Sequence, residues 1–572
     1  MARTVAIGEQ DFGKLIEKNC FYVDKTNFIK EWWESEDTVT LIARPRRFGK
    51  TLAMHMLRDF FSIRDAGRGR LFENLAVWQD ERYQRLQGTY PVIFLSFAAV
   101  KEHRYDTARK KICQMIVNLY SDFYFLLQEG FLDEKEEAFF QRISADMDDA
   151  DATEALSQLS RYLYKYYGRK TVILLDEYDA PMQEAYMNGY WDEMARFIRS
   201  LFHASFKSNP FLERAVLTGV TRVSKESVFS DLNNLKVITA TSRKYETAFG
   251  FTEDEVFQAL EEFGLQDTRD EVKKWYDGFR FGNSDNIYNP WSVISYLDEK
   301  ELRPFWMNTS SNTLAADLIR KGNTDIKICM EDLMHGKDIC TSMDEQFVFS
   351  QLGRRPDAVW SLLAACGCLK VTGCCRRDGR EEYTLAIVNF EVQEMFGQMF
   401  LDWFSDESCQ YSDFKEALLS GDIQRMNAYL NEILFYTLSR YDTGKRFSKS
   451  RIHENFYHGF VLGLIAGLRS RYVISSNRES GFGRYDVMLL PLNPADDGMI
   501  LEFKVMDADK EQSLQDTVDA ALRQIIEKKY FAELEAKGIR RENIRIYGFA
   551  FTGKEVLAGG GPAPAYEQEY KG

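Results

Sequence analysis

Two groups of residues in this sequence have the types and spacing for phosphate chemistry. The first is Gly49-Lys50-Thr51 in LIARPRRFGKTLAMHML, where an apolar strand pattern gives way to a basic turn and then to a helix pattern. In that order, Arg47, Phe48 and Gly49 and the backbone N–H groups opening the helix would cradle phosphates. Lys50 would reach the β- and γ-phosphates, and Thr51 would offer its hydroxyl to Mg2+. The pattern G-x-x-x-x-G-K-[ST] asks for glycine at position 44, where this chain has Arg44. A continuous apolar run, VILLDEYD, then ends in carboxylates. Asp176 suits a Mg2+ ligand and Glu177 the base that activates water. A third run, AVLTGVTR, supplies Thr218 to sense the γ-phosphate. It also supplies Arg222, which could stabilise transition-state charge in cis or across subunits, the latter requiring a homo-oligomer.

The second group lies near the C-terminus, in RYDVMLL and MILEFKV. Residues two apart on a strand share a face, so Glu502 and Lys504 project together, and antiparallel pairing would bring Asp486 beside them. Two carboxylates can hold Mg2+ or Mn2+, which prefer oxygen ligands. A metal there would activate water against a phosphodiester, and Lys504 could position that water or stabilise developing charge. Lys504 could instead simply pair with Glu502. Two charges inside an otherwise apolar strand argue for function, because such burial is costly without a partner or a metal.

These residues need two α/β frameworks to hold them. In the N-terminal third, strand-like runs (Thr38–Ile42, Tyr90–Phe97, Lys170–Leu175, Ala215–Thr218) alternate with helical ones (Thr51–Phe61, Tyr105–Leu127, Trp191–Ser205), as in a parallel sheet. From Thr252 to Leu297 short helices are broken by WYDGFRFG and YNPW. From Thr309 to Lys445 helices dominate, with one hairpin around Cys368–Leu385. A helix (Glu454–Ser470), strands (Tyr472–Ser476, Arg484–Leu490, Met499–Val505), a long helix (Ser513–Lys537) and a strand (Ile544–Phe551) follow. The closing GGGPAPAYEQEYKG reads as a flexible tail. The fold class is therefore α/β multidomain: an N-terminal P-loop parallel sheet, a helical middle and a C-terminal α/β domain.

Composition narrows the class. The 572 residues are 45% hydrophobic and 28% charged, which excludes a mainly disordered chain. No apolar run reaches membrane-spanning length and the N-terminus has no secretory pattern, which predicts a cytoplasmic protein without membrane contact. The net charge of −15 disfavours general nucleic-acid binding, yet charges balance from Tyr441 onward. Nine cysteines without a signal peptide argue against a disulfide framework. Cys366, Cys368, Cys374 and Cys375 lack a zinc-site spacing and read better as a helix end, a Gly turn and a strand.

Several blocks also carry a family resemblance. FYVDKTNFIKEWW, RPRRFGKT, VILLDEYDAP, LTGVTRVSKESVFSDLNNL, WYDGFRFG…YNPWSVISYL and FWMNTSSN, over residues 4–310, resemble the bacterial AAA-ATPase-like family. The resemblance implies ATP as ligand, with Lys50, Thr51, Asp176 and Glu177 on the nucleotide site, a basic phosphate loop that accounts for Arg44, and Tyr276–Phe281 in a lid. HENFYHGFVLGLIAGL, SSNRESGFGRYDVMLL, ILEFKV and ALRQIIEKKYFAEL, over residues 445–555, are similar to the PD-(D/E)XK nuclease superfamily, whose domain is restriction-endonuclease-like. That likeness implies metal-binding acids at Asp486 and Glu502, the lysine at Lys504 and a helical acid at Glu454. Gln524 and Tyr530 resemble the Gln/Tyr helix of RecB-like relatives, with a longer gap between them, and Glu479 could also approach the metal. The expected domains are an AAA-ATPase-like domain (1–250), a helical lid (251–310), a mainly helical linker (311–444), a nuclease-like domain (445–556) and the tail (557–572). The expected activity is ATP-controlled cleavage of nucleic acid, DNA before RNA, with a protein partner left open. The alternative is an ATP-dependent switch or scaffold whose nuclease-like domain binds without cutting.

Overall fold

The structure, a computed structural model, describes residues 2–570 except 129, 222–227, 230–231, 307–317, 320–323, 335, 344–357, 378–379, 406–411, 440–464, 466–467, 469–470, 477–478, 481–482, 494, 507–510 and 553–554. The chain divides into two compact units, Met1–Met395 and Phe396–Gly572. The expected linker, 311–444, is therefore shared between the units.

The first unit is built on a parallel five-stranded sheet of order β2-β3-β4-β1-β5. The strands are β1 (Val39–Ala43), β2 (Val92–Ser96), β3 (Thr171–Asp176), β4 (Leu212–Gly219) and β5 (Leu235–Ile238). Every residue of β1 and β3 is buried, as runs of β-branched residues and Leu covered on both faces should be. β4 lies between the strand that enters the phosphate loop and the strand that ends in acids, with Ala215 opposite both Val39 and Ile173. The carboxyl ends of β1, β3 and β4 thus open on one edge, where parallel sheets bind ligands.

The region expected as a helical lid, 251–310, is not wholly helical where it is described. Between its helices Arg269–Tyr276 and Pro290–Glu299, the WYDGFRFG break folds as a hairpin of β7 (Phe279–Phe281) and β8 (Ser284–Tyr288), which pairs with the short β6 (Phe251–Thr252). Farther on, the helix Ala358–Cys366 stops at a left-handed Gly367, and buried Cys368 leads into a hairpin of β10 (Leu369–Arg377) and β11 (Arg380–Ile387), flanked by β9 (Ile339–Thr341). The cysteine cluster is the helix end, turn and strand anticipated, with Cys374 and Cys375 exposed.

The second unit has a mixed sheet of order β12-β15-β16-β17-β18 and a two-residue pairing of β13 (Glu479–Ser480) with β14 (Gly483–Arg484). The sheet strands are β12 (Tyr472–Ser476), β15 (Val487–Pro491), β16 (Gly498–Val505), β17 (Ile544–Thr552) and β18 (Glu555–Pro562). Alternation sorts the faces. Leu501, Phe503, Tyr547 and Phe549 pack with Phe414, Leu418 and Met426, whereas Met488, Ile500 and Ile546 pack with Val518, Leu522 and Ile525 of the helix Leu514–Glu527. Residues 502 and 504 share the face of Ile500, toward that helix. The Gly-rich end expected as a tail is instead strand β18 and the helix Ala563–Tyr570. Its glycines answer close packing: a Cβ on Gly559 would lie 2.7 Å from Val518. The long helix expected at Ser513–Lys537 is two, Leu514–Glu527 and Ala532–Ala536, parted by Lys529 at φ 53°.

Candidate functional sites

At the first site, the phosphate loop leaves β1 and enters the helix Lys50–Phe61 through left-handed residues at Arg47 (φ 66°) and Gly49 (φ 79°). Lys50 is only 4% exposed. Its Nζ donates to the carbonyl oxygens of Arg44 (3.0 Å) and Pro45 (2.8 Å). Burial lowers its pKa, opposed by Glu177, Asp179 and Asp176. Asp176 is completely buried and is satisfied by hydroxyls. One oxygen accepts from Thr218 Oγ1 at 2.6 Å, and the other from Thr51 Oγ1 at 3.0 Å and Ser96 Oγ at 3.3 Å. No motif in the sequence singles out Ser96. Its signal is register, since it ends β2 directly opposite Asp176. Glu177 turns out of the strand at φ 51°, a conformation non-glycine residues adopt only under constraint, and its N–H donates to Thr218 Oγ1 at 3.4 Å. Burial raises the Glu177 pKa, with Lys50 opposing. A carboxyl so placed is suited to accept a proton from water.

The basic loop divides its work. Arg44 turns inward and is fully buried: Nη1 donates to Thr239 O at 2.5 Å and the guanidinium stacks 4.3 Å over Phe281. Burial lowers its pKa to about 9. The side chains of Arg47 and Phe48, expected at the nucleotide, are engaged with the segment 279–305. Arg47 donates to Phe305 O at 3.0 Å and lies over the Trp291 ring, while Phe48 packs edge-on against Phe279 and Phe281. An apolar ring finds its partners there, which leaves the backbone of 47–49 to face phosphate. Trp306 Nε1 donates to Arg46 O at 3.3 Å. The Trp306 N–H in turn donates to buried Glu391, whose carboxylate also accepts from Ser292. Lys25 pairs with Glu255, Asp24 accepts from Thr26 and from the Ala76 N–H, and the half-buried Tyr22 accepts the Lys25 N–H, so FYVDKT braces the unit. Arg222 lies outside the described residues.

At the second site, Asp486 precedes β15 and accepts the Phe503 N–H at 2.8 Å, fixing its carboxylate over β16. The β15–β16 ladder, continued one residue beyond Val487 and Leu501, sets Asp486 opposite Glu502. Glu502 is 2% exposed. Gln524 joins the set: its amide N–H donates to Glu502 Oε1, its carbonyl accepts Lys504 Nζ at 2.7 Å, and Nε2 lies 3.2 Å from the Tyr530 hydroxyl. Burial raises the Tyr530 pKa, and the charges of Glu502 and Asp486 add to it. The wide Gln524–Tyr530 spacing is resolved by the left-handed Lys529, which ends the helix and lets the Tyr530 N–H reach Ile525 O. Asp486, Glu502, Lys504, Gln524 and Tyr530 are therefore brought together. Two carboxylates from adjacent strands are hard oxygen donors and suit Mg2+ or Mn2+. Among the described residues no group of three potential acidic, His or Cys ligands occurs. Glu454 lies outside the described residues, and Glu479 is in β13, where only its backbone is described.

Two family models match the stretches of chain that carry these residues. Residues 6–229 match the AAA-ATPase-like family, described as a predicted AAA-ATPase, and residues 452–559 match the PD-(D/E)XK nuclease superfamily. The chain therefore carries an AAA-ATPase-like domain followed by a PD-(D/E)XK superfamily domain. It is also similar from end to end to an uncharacterized protein in the vnfD 5′ region of Azotobacter chroococcum mcd 1, at 26% identity over 96% of each chain. Among the described residues no helix is long and apolar enough to cross a membrane.

Proposed function

We propose that this protein is a bacterial cytoplasmic ATPase fused to a metal-dependent nuclease that cleaves DNA, and less readily RNA, under ATP control. The observation that carries the reading is the Gln524 bridge. It orders a buried acid and a lysine beside Asp486, an arrangement that a solvated ion pair would not need. Asp486 and Glu502 would hold Mg2+ or Mn2+, which polarises a phosphodiester and makes water a better nucleophile. Glu454 is the candidate third acid. Lys504, aimed by Gln524, places a positive charge where negative charge grows on the phosphoryl oxygens.

In the first unit, Lys50 exchanges its loop carbonyls for the β- and γ-phosphates of ATP, with the backbone of Arg47, Phe48 and Gly49 around them. Thr51 and Asp176 would hold Mg2+, Thr218 would read the γ-phosphate, and Glu177 would take the proton of the attacking water. Arg222, which follows Thr221 in the chain, would meet the transition-state charge, in cis or from a second copy.

The test is cleavage of single- and double-stranded DNA and of RNA with Mg2+ or Mn2+, with and without ATP, comparing wild type with Lys504→Ala. Cleavage by wild type that falls about 100-fold or more in the variant is expected. Folded, metal-supplied wild type that cuts nothing but binds nucleic acid would instead support the ATP-dependent switch or scaffold.

A further inference from the structure

The sequence block around Asp176 and Glu177 ends in a third acid, Asp179, that the roles above leave unused. Asp179 is 1% exposed and occupies the N-cap of the helix Ala180–Asn188, yet its side chain makes no capping bond to that helix. It reaches across to the turn after β4. Its Oδ2 accepts the N–H of Val220 (3.1 Å), the N–H of Thr221 (2.8 Å) and the Thr221 hydroxyl (2.7 Å). The neighbouring Tyr178 hydroxyl donates to Thr221 O at 2.7 Å, so every polar group of Thr221 is held by this pair. The two turns approach so closely that a Cβ on Gly219 would sit 2.6 Å from the Tyr178 ring and 2.7 Å from Asp179 Oδ1. Gln183 also donates to Asp179 Oδ2 (3.0 Å) and accepts from Arg46 of the phosphate loop (3.1 Å).

We propose that Asp179 is a positioning residue for ATP hydrolysis. It locks the segment Thr218–Thr221 to the turn that carries Asp176 and Glu177, and through Gln183 it ties both to the phosphate loop. Thr218 holds Asp176 and the Glu177 N–H from one end of the locked segment, and the chain passes from its other end directly to Arg222. A buried carboxylate with four donors on one oxygen holds its surroundings more tightly than neutral bonds would. The role rests on the ATPase reading above.

The experiment measures ATP turnover, its KM and Mg-ADP affinity by calorimetry for wild type, Asp179→Ala, Asp179→Asn and Thr221→Val. The alanine variant should lose about tenfold or more in kcat with KM and ADP affinity within about threefold. Asparagine keeps an acceptor for the two backbone N–H groups and should restore kcat to within about threefold of wild type. Thr221→Val removes one bond of the lock in a folded protein and should show the same split at smaller size. A kcat unchanged in both Asp179→Ala and Thr221→Val overturns the positioning role. So does a kcat that falls in step with ADP affinity and is not rescued by asparagine, which marks a merely structural acid. Wild type that neither binds Mg-ADP nor turns over ATP overturns the ATPase reading itself.

Discussion

The two sites put carboxylates in similar places and satisfy them differently. Asp176 is wholly buried and surrounded by three hydroxyls, whereas Asp486 is half-buried on a peptide N–H and Glu502 sits on the amide of Gln524. A hydroxyl can rotate its proton away and offer a lone pair, so the first acid's partners can yield to an arriving cation without moving a heavy atom. A glutamine amide cannot. Its donor and acceptor ends are fixed, and it holds Glu502 and Lys504 in one relative position. On the proposed function, the first site would change partners through a cycle, and the second would stay preorganised.

The strongest way to break that contrast is Glu177→Gln. ATP turnover should fall about 100-fold to 10,000-fold in a steady-state assay while Mg-ATP affinity is kept, because the base goes and the hydroxyl-lined acid stays. An unchanged rate removes Glu177 from the chemistry. Gln524→Ala sharpens the other half. If the second site works by rigid preorganisation, DNA cleavage should fall about 10-fold to 100-fold with ATP turnover untouched. Restoration by raised Mg2+ alone would show that Gln524 serves metal affinity rather than the aim of Lys504.

The smallest effect expected is on stability. Burial raises the Glu391 carboxyl from 4.5 to about 7, against the hydrogen bonds from Ser292 and Trp306. Between those values the folded state keeps a proton that the unfolded state has released. Stability from this group is therefore full below the unfolded value and is lost as pH rises through about 7. Glu391→Gln should melt higher than wild type at pH 8, by on the order of 3 kcal/mol at most, and match it near pH 5, read by calorimetry. A difference that does not change with pH would assign Glu391 a purely geometric role behind the phosphate loop.

Much of this could be read from the chain before the fold was known. Uninterrupted apolar runs ending in Asp176 and Thr218 located the two strands β3 and β4 beside the phosphate loop. The alternation in ILEFKV put Glu502 and Lys504 on one face. What escaped depended on contacts between distant segments. Ser96 is meaningful only through register with Asp176. The Gln524–Tyr530 spacing is compact only because Lys529 takes a left-handed turn. The GGG run carried a composition typical of tails, but its lack of side chains is what lets β18 lie against Val518. WYDGFRFG likewise marked a helix break without revealing the hairpin that follows it.

That hairpin changes what counts as the minimal nucleotide-binding protein. Glycine lets a phosphate loop turn without strain but does not hold its shape. Here Phe48, 1% exposed, rests on Phe279 and Phe281, buried Arg44 is covered by Phe281, and Trp306 grips Arg46. Cutting the chain at residue 250, just past the stretch that matches the ATPase family, would bare an aromatic ring and a desolvated cation together. Any dissection of this protein should therefore follow the compact unit to residue 395 rather than the reach of sequence similarity.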